Sequence, residues 1–182
     1  MTEEEMQKLK FPIGIFDRKQ AIGSQEIEQW ISEIASFPKE VRKAVADLSD
    51  VQLSWRYRPD GWTIAQVVHH CSDSHINSLM RFKLALTEDN PSIRPYEEQL
   101  WAELADSQTL DLTHSLALLE SLHAKWVLLL KNLSDAELTK TFQHPSEKGP
   151  TTLAQNIGIY AWHCNHHFAH IKQAIKGGGI YG

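Results

Sequence analysis

Apolar residues recur at intervals of three and four in four long stretches of the chain, the spacing that gathers them on one face of an α-helix. In the stretches that follow Thr63 and Thr152, a glutamine stands three positions after the threonine, which is the capping-box pattern of a helix start. Pro38 lies inside the first stretch, where we expect a kink or a break. The pattern predicts long helices over about 24–48, 63–86, 113–132 and 152–177.

Four long helices and no convincing strand favour an all-α protein folded as a four-helix bundle. Residues 87–111 are a polar connection, with a short helix expected around 97–104, and they are long enough to cross the bundle, which allows an up-down-down-up topology. Residues 1–23 show little periodicity and are interpreted as an extended arm whose apolar segment packs on this domain or on a second copy. Residues 1–182 are expected to form a single domain.

The composition narrows the function mainly by exclusion. Of the 182 residues, 42% are hydrophobic and 23% are charged, and the net charge is −5. This charge gives no electrostatic reason to expect nucleic acid or an anionic membrane as a partner, and no apolar run approaches the roughly 20 residues of a membrane span. Two cysteines are too few for a disulfide framework, and the acidic N-terminus lacks the apolar core of a signal peptide, so a cytoplasmic location is expected.

Histidines are concentrated in the last predicted helix, where His163, His166, His167 and His170 fall within eight positions. Residues four apart share a helical face, so His163 with His167, or His166 with His170, can direct ring nitrogens at one metal ion. The spacing alone does not choose between these pairs. On a helical projection His163 and His167 lie nearest the apolar stripe, which favours them as the metal-binding pair at the edge of the core.

A catalytic zinc site commonly has three protein ligands and one open position, so a third ligand is expected from another helix. The second predicted long helix carries His69, His70 and His75. Periodicity alone favours His75, because it falls inside the apolar arc of that helix while the other two flank the arc on opposite sides. On spacing alone, the identity of the third ligand stays open.

The stretch 61–70 resembles the start of the second helix in the DinB/YfiT-like family, in which a metal-binding histidine follows a tryptophan after eight positions. Here the tryptophan is Trp62 and the histidine is His70. The spacing of His163 and His167 resembles the His-x-x-x-His segment of the family's last helix. Segments at 11–14, 93–96 and 115–119 are similar to the YfiT branch of bacilli, so the resemblance covers nearly the whole chain.

The resemblance implies a bundle that holds one divalent ion, zinc or nickel, through His70, His163 and His167, with water completing the coordination. It also implies a homodimer and a metal-dependent hydrolase that acts on a small-molecule substrate, with the water on the metal as nucleophile. Relatives in the wider superfamily use a thiol such as bacillithiol, so a metal-dependent thiol S-transferase is the alternative. A metal-binding stress protein without catalysis is the third hypothesis.

A general base for hydrolysis is harder to identify. No His-Glu-x-x-His motif occurs, and the last predicted helix contains no Asp or Glu. Asp73 is the first candidate, either as the base or as a partner that orients an imidazole, and Glu120 and His123 follow with less weight. The lack of an obvious base favours thiol transfer, because there the metal itself lowers the pKa of the thiol and positions the thiolate.

Three further residues have structural interpretations. Cys71 and Cys164 lie in the apolar arcs of their helices and are expected to be buried as small hydrophobic residues. Trp162 points away from the apolar stripe and, with the apolar arm, indicates a contact between two copies of the chain. An ordinary exposed aromatic residue is the alternative interpretation of Trp162.

Overall fold

The regular structure is almost entirely helical in the computed structural model, which describes residues 1–18 and 21–182. Within these residues the elements are α1 (Glu3–Lys10), α2 (Ser24–Val45), α3 (Asp50–Leu53), α4 (Ile64–Thr87), α5 (Glu98–Trp101), α6 (Thr113–Leu130), α7 (Asp135–Leu138), β1 (Thr141–Phe142), β2 (Thr151–Thr152) and α8 (Leu153–Gly177). The long helices α2, α4, α6 and α8 form the bundle, which confirms the predicted fold class.

The ends of the two helices that carry most of the histidines follow from local chemistry. The Thr63 side chain accepts a hydrogen bond from the backbone N–H of Gln66, and the Gln66 side chain accepts one from the Thr63 N–H, both at 3.1 Å. The same reciprocal pair caps α8 at Thr152. At its other end α8 stops at Gly178, whose φ of 60° is a left-handed conformation that favours glycine.

Pairs of side chains that meet across the bundle give the directions of its helices. The start of α4 contacts the start of α6 through His69 and Ser115, and its end contacts the end of α6 through Phe82 and Trp126. Against α8 the order is reversed, because His70 contacts His163 whereas the later Ser78 contacts the earlier Asn156. The order is also reversed between α2 and α6, where Ile34 contacts His123 and the later Arg42 contacts the earlier Glu120. Helix α4 is therefore parallel to α6 and antiparallel to α8, and the bundle has the up-down-down-up topology. The long connection between α4 and α6 returns the chain to the starting end.

The break considered at Pro38 does not occur, and the expectation that the chain has no strand was wrong. Helix α2 continues through Pro38 without a break, and Pro38 is buried. A strand pair, in which Thr141 lies opposite Thr152, precedes α8, although no strand was expected. Strands of two residues are too short to show an alternating pattern in the sequence.

The N-terminal arm is not extended throughout, because α1 is helical. Its two unpredicted turns are capped by Thr2, whose side chain accepts a hydrogen bond from the backbone N–H of Glu5. After α1 the arm lies along α8 of the same chain, where the Trp162 indole N–H donates to the carbonyl oxygen of Gly14 at 3.1 Å. Trp162 thus forms a hydrogen bond within its own chain. Positions 19 and 20 of the predicted arm lie outside the described residues.

A close approach between the arm and α8 depends on Gly158. A Cβ at this position would lie 2.8 Å from the ring of Phe16 and 2.9 Å from that of Trp30. The absence of a side chain therefore allows these two aromatic rings to pack directly on the α8 backbone. No helix among the described residues is long and apolar enough to cross a membrane.

Candidate metal centre

Three histidines from two helices converge in the bundle. His70 comes from α4, and His163 and His167 come from successive turns of α8; one ring nitrogen of each lies within 4.8 Å of the others. The Nε2 atoms of His70 and His163 are 3.3 Å apart. Two nitrogens bound tetrahedrally to one zinc ion at about 2.0–2.1 Å would lie about 3.3–3.4 Å apart. The spacing of these two nitrogens therefore fits a shared divalent ion.

The antiparallel packing of α4 on α8 brings these side chains together. His163 and His167 lie one turn apart on one face of α8, and their rings meet edge to face with centroids 4.3 Å apart. His70 faces them two turns after the capped start of α4. Trp62, just before that start, packs its ring 4.6 Å from the ring of His70 and 6.4 Å from that of His167. An aromatic wall thus encloses one side of the cluster.

Burial keeps these three imidazoles neutral. It lowers the pKa of His70 to about 3, with a smaller contribution from nearby His166. Burial, followed by the surrounding histidines, also holds the pKa values of His163 and His167 well below their ordinary value. Each ring consequently offers an unprotonated nitrogen at neutral pH, which is the form that binds a metal.

A second cluster shares His167 and contains His166 and His170, so both pairs considered from the spacing occur in the structure. His170 donates through Nε2 to the carbonyl oxygen of Lys10 at 3.1 Å and stacks on Tyr57. The Nδ1 atoms of all three histidines are buried without a hydrogen-bond partner among the described residues. All three members lie on α8, whereas the first cluster draws on two helices.

The other histidines of α4 lie outside both clusters. His75 is fully buried, as its position in the apolar arc indicated, and contacts His163 from the side away from His70. His69 instead forms hydrogen bonds with α6 and the segment before it. Its ring nitrogens lie 2.8 Å from the Ser115 hydroxyl and 3.0 Å from the Thr109 carbonyl oxygen. Burial alone therefore does not identify the histidine that faces the cluster.

A cavity of about 290 Å³ opens onto the clustered histidines. Its lining includes Tyr57, Arg58, Asp60, Trp62 and Glu98. The sequence does not identify Glu98, the first residue of α5, because this helix is too short for periodic spacing to show which way its residues face. Its carboxyl group is exposed in part, but its pKa is raised, first by partial burial and then by neighbouring Glu97. Glu98 is thus a carboxylate that faces the cavity.

The candidate bases from the sequence lie elsewhere. Asp73 is half-buried on α4 and belongs to neither histidine cluster. Glu120 forms an ion pair with Arg42 at the surface. His123 is buried in the core and contacts His75. Both cysteines are buried and unpaired, as expected, and burial raises the pKa of each thiol, so neither is poised as a nucleophile.

Replacement of Asp73 by asparagine should stabilise the protein at neutral pH. Burial, followed by the charge of Asp106, raises the pKa of Asp73 to about 6. Ionisation of this carboxyl group therefore destabilises the folded protein at neutral pH. The cost disappears at low pH, where the carboxyl group is protonated in both the folded and the unfolded protein. Because the carboxyl is only half-buried, we expect a gain of about 1–2 kcal/mol at pH 7.5, or about 3–6 °C in Tm, that narrows as the pH falls below 6. Thermal unfolding of Asp73→Asn beside exposed Asp47→Asn measures this, and equal Tm values for both variants would contradict it.

The chain is similar to bacterial proteins over nearly its whole length. A model described as the DinB superfamily matches residues 33–171. Proteins of Bacillus cereus (strain 03BB102) and Bacillus thuringiensis subsp. konkukian (strain 97-27), both provisionally named metal-dependent hydrolases, are 55% identical over 171 residues, which is 94% of this chain and 98% of theirs. The solved structure of YfiT from Bacillus subtilis, described provisionally as a metal-dependent hydrolase with an unusual four-helix bundle topology, matches with a TM-score of 0.91 and 44% identity and covers 94% of this chain and 98% of that one.

Proposed function

The chain belongs to the DinB superfamily, and we propose on that premise that it is a metal-dependent hydrolase whose divalent ion, zinc or nickel, is held by His70, His163 and His167. The observation that carries this proposal is the convergence of three neutral imidazoles, within 4.8 Å of one another, at a cavity. When bound there, the ion would polarise a substrate oxygen and lower the pKa of a water to about 7. Imidazole ligands suit both metals.

The residues around the cavity supply the remaining requirements of hydrolysis. The aromatic rings of Trp62 and Tyr57 limit access of bulk water, and the volume of about 290 Å³ suits a small-molecule substrate. The buried Nε atom of Arg58, which lacks a partner among the described residues, can donate a hydrogen bond to a substrate oxygen. Glu98 replaces Asp73 as our candidate base, because its carboxylate lines the cavity and can accept the proton of an attacking water.

A thiol S-transferase is the second candidate. The observation that favours it is the composition of the two clusters, which among residues 1–18 and 21–182 contain histidines and no carboxylate. A thiol needs no separate base when a metal lowers its pKa. A strict requirement for a low-molecular-weight thiol in turnover would distinguish this activity from hydrolysis.

Two further expectations accompany the proposal. A cytoplasmic location is supported by the two unpaired cysteines, since secreted proteins commonly oxidise such pairs. A homodimer is supported by the exposed apolar side chains of Ile13 and Ile15 on the arm, which would be covered in a contact between two copies.

Removal and replacement of the metal tests the proposed activity. The protein would be stripped with a chelator, reloaded with zinc or nickel, and assayed against a panel of small esters, amides and phosphoesters with and without added thiol. We expect thiol-independent hydrolysis that is lost on stripping and restored on reloading, and a decrease of about 10²–10⁴-fold in Glu98→Gln. The exposed histidine variant His114→Gln should behave like the wild type. A fully loaded protein that hydrolyses no member of the panel, or that turns over only with a thiol, would contradict the hydrolase assignment.

A further inference from the structure

Three histidines, the half-buried His163 and the buried His75 and His123, connect the candidate metal centre to the backbone on the far side of the bundle. His163 Nδ1 lies 3.0 Å from His75 Nε2, and His75 Nδ1 lies 2.7 Å from His123 Nε2. His123 Nδ1 in turn lies 2.6 Å from the carbonyl oxygen of Ile34. We call His163, His75 and His123 the histidine relay. It begins on α8 at the metal centre, passes through α4 and α6, and ends on α2.

Pro38 accounts for the availability of the acceptor at the end of the relay. In an α-helix the carbonyl of residue 34 would accept a hydrogen bond from the backbone N–H of residue 38, but proline has no N–H. The carbonyl oxygen of Ile34 is therefore left for His123, although α2 continues unbroken through this position. Pro38, where a kink or a break was expected, thus leaves a fixed acceptor inside the bundle.

The direction of each hydrogen bond in the histidine relay follows from this acceptor. A carbonyl oxygen can only accept, so Nδ1 of His123 carries a proton, and in a neutral ring Nε2 then has none. His123 Nε2 accepts from Nδ1–H of His75, whose own Nε2 accepts from Nδ1–H of His163. The remaining nitrogen, Nε2 of His163, carries a lone pair, and the Ser74 hydroxyl lies 3.4 Å from it. That nitrogen is the one that lies 3.3 Å from Nε2 of His70.

We propose that His75 and His123 are positioning residues that hold His163 in its Nδ1–H tautomer and present its Nε2 lone pair to the metal. This inference rests on the proposed metal centre for its purpose, but the tautomer itself does not depend on a metal or on catalysis. Metal-binding histidines commonly donate the other ring N–H to a partner that orients the ring. Here that partner is a second imidazole, which is in turn oriented by a third.

The surroundings of the histidine relay keep its rings neutral and fixed. His75 is fully buried and His123 is 2% exposed. The Phe37 ring lies 5.4 Å from His75 and 5.7 Å from His123, and the Trp126 ring lies 5.9 Å and 5.6 Å from the same two. These apolar neighbours disfavour a second proton on either imidazole. They also restrict rotation of the rings, so the hydrogen bonds keep their partners.

The tautomers can be observed directly in the metal-free protein. Long-range ¹H–¹⁵N NMR of histidine-labelled, chelator-treated protein at pH 7.5 distinguishes protonated from unprotonated ring nitrogens. We expect a protonated Nδ1 and an unprotonated Nε2 in His163, His75 and His123, with assignment by single His→Gln variants. A protonated Nε2 in His163 would overturn the proposal even if the protein binds metal and hydrolyses a substrate. Conversely, absence of any hydrolysis would leave this result standing and count only against the proposed activity.

Variants of His123 test whether the relay acts on metal binding. In His123→Leu the Nδ1–H of His75 loses its acceptor, so His163 is no longer held in one tautomer, and we expect zinc affinity to fall about tenfold. In His123→Gln an amide can both accept from His75 and donate to Ile34, so affinity should remain within about threefold of the wild type. Both affinities would be measured by competition with a chelator, and thermal unfolding would show that each variant is folded. Equal zinc affinity in wild type and a folded His123→Leu would refute the positioning role.

Discussion

His163→Ala should lose its bound ion while His170→Ala retains it. Structural zinc sites with four ligands bind with about 10–16 kcal/mol, so loss of one ligand corresponds to a decrease in affinity of about 10²–10³-fold. His163 belongs only to the cluster with His70, His170 belongs only to the cluster with His166, and His167 belongs to both. Single variants at these positions therefore identify the cluster that holds the ion. Metal content after dialysis, with chelator competition for the affinity, measures the effect.

The pattern across the variants is more informative than any one of them. Loss of the ion in His163→Ala and His167→Ala, with a full equivalent in His170→Ala, is the result expected if the ion lies between α4 and α8. Loss in His170→Ala and retention in His163→Ala would place the ion in the second cluster and refute the assignment of His70 as a ligand. The NMR spectrum of each variant would show whether the remaining bundle is intact.

Helical periodicity was sufficient to predict the bundle and one face of its candidate metal centre. The capping boxes at Thr63 and Thr152 lie where α4 and α8 begin, because the same side-chain hydrogen bonds that define the pattern form the helix ends. The spacing of His163 and His167 predicted that the two rings lie together on one face, since one helix determines the relative position of both residues. These predictions depend only on contacts within a single element.

Periodicity could not identify the residue that another helix contributes. It places His75 in the apolar arc of α4, and His75 is indeed the more deeply buried residue. However, a buried histidine can face either of two neighbouring helices, and only the packing of α4 between α6 and α8 shows that His70 faces the α8 cluster while His75 lies behind His163. Resemblance to the DinB/YfiT-like family supplied the choice of His70. Glu98 could not be predicted from the sequence, because α5 is too short for its sequence to show which of its residues face the cavity.

Pro38 illustrates a different limit of sequence interpretation. A proline inside a helical pattern predicts a missing hydrogen bond, and that part of the expectation is physically sound. The helix continues because the freed carbonyl of Ile34 accepts from His123 of α6, which compensates for the missing N–H. The sequence shows the unpaired acceptor but not the donor, which comes from a residue 89 positions away along the chain.

Metal-free protein should unfold in mild acid, at about pH 5. Burial lowers the pKa of five enclosed histidines (His70, His75, His123, His163 and His167), to about 3 in His70 and about 4 in His123. In the unfolded chain these imidazoles bind protons below about pH 6.5, whereas in the folded protein they stay unprotonated until the pH falls to their lowered pKa values. The stability they contribute is therefore fully present above pH 6.5 and is lost as the pH falls below it. At pH 5 the loss is about 2 kcal/mol for each histidine, or about 10 kcal/mol in total, which is comparable to the whole stability of a typical domain.

Circular dichroism of chelator-treated protein between pH 8 and pH 3 measures this transition. Since each buried histidine contributes to the loss, His75→Leu should shift the midpoint to lower pH, provided that the variant is as stable as the wild type at pH 8. The surface variant His114→Gln should leave the midpoint unchanged, because His114 is exposed and belongs to neither histidine cluster. Zinc should also protect the fold, since an ion that binds the neutral imidazoles competes with protons for them. A midpoint that lies below pH 4 and is not shifted by His75→Leu would show that the histidines bind protons alike in the folded and unfolded protein, and would contradict the neutral, densely enclosed cluster from which the metal centre is inferred.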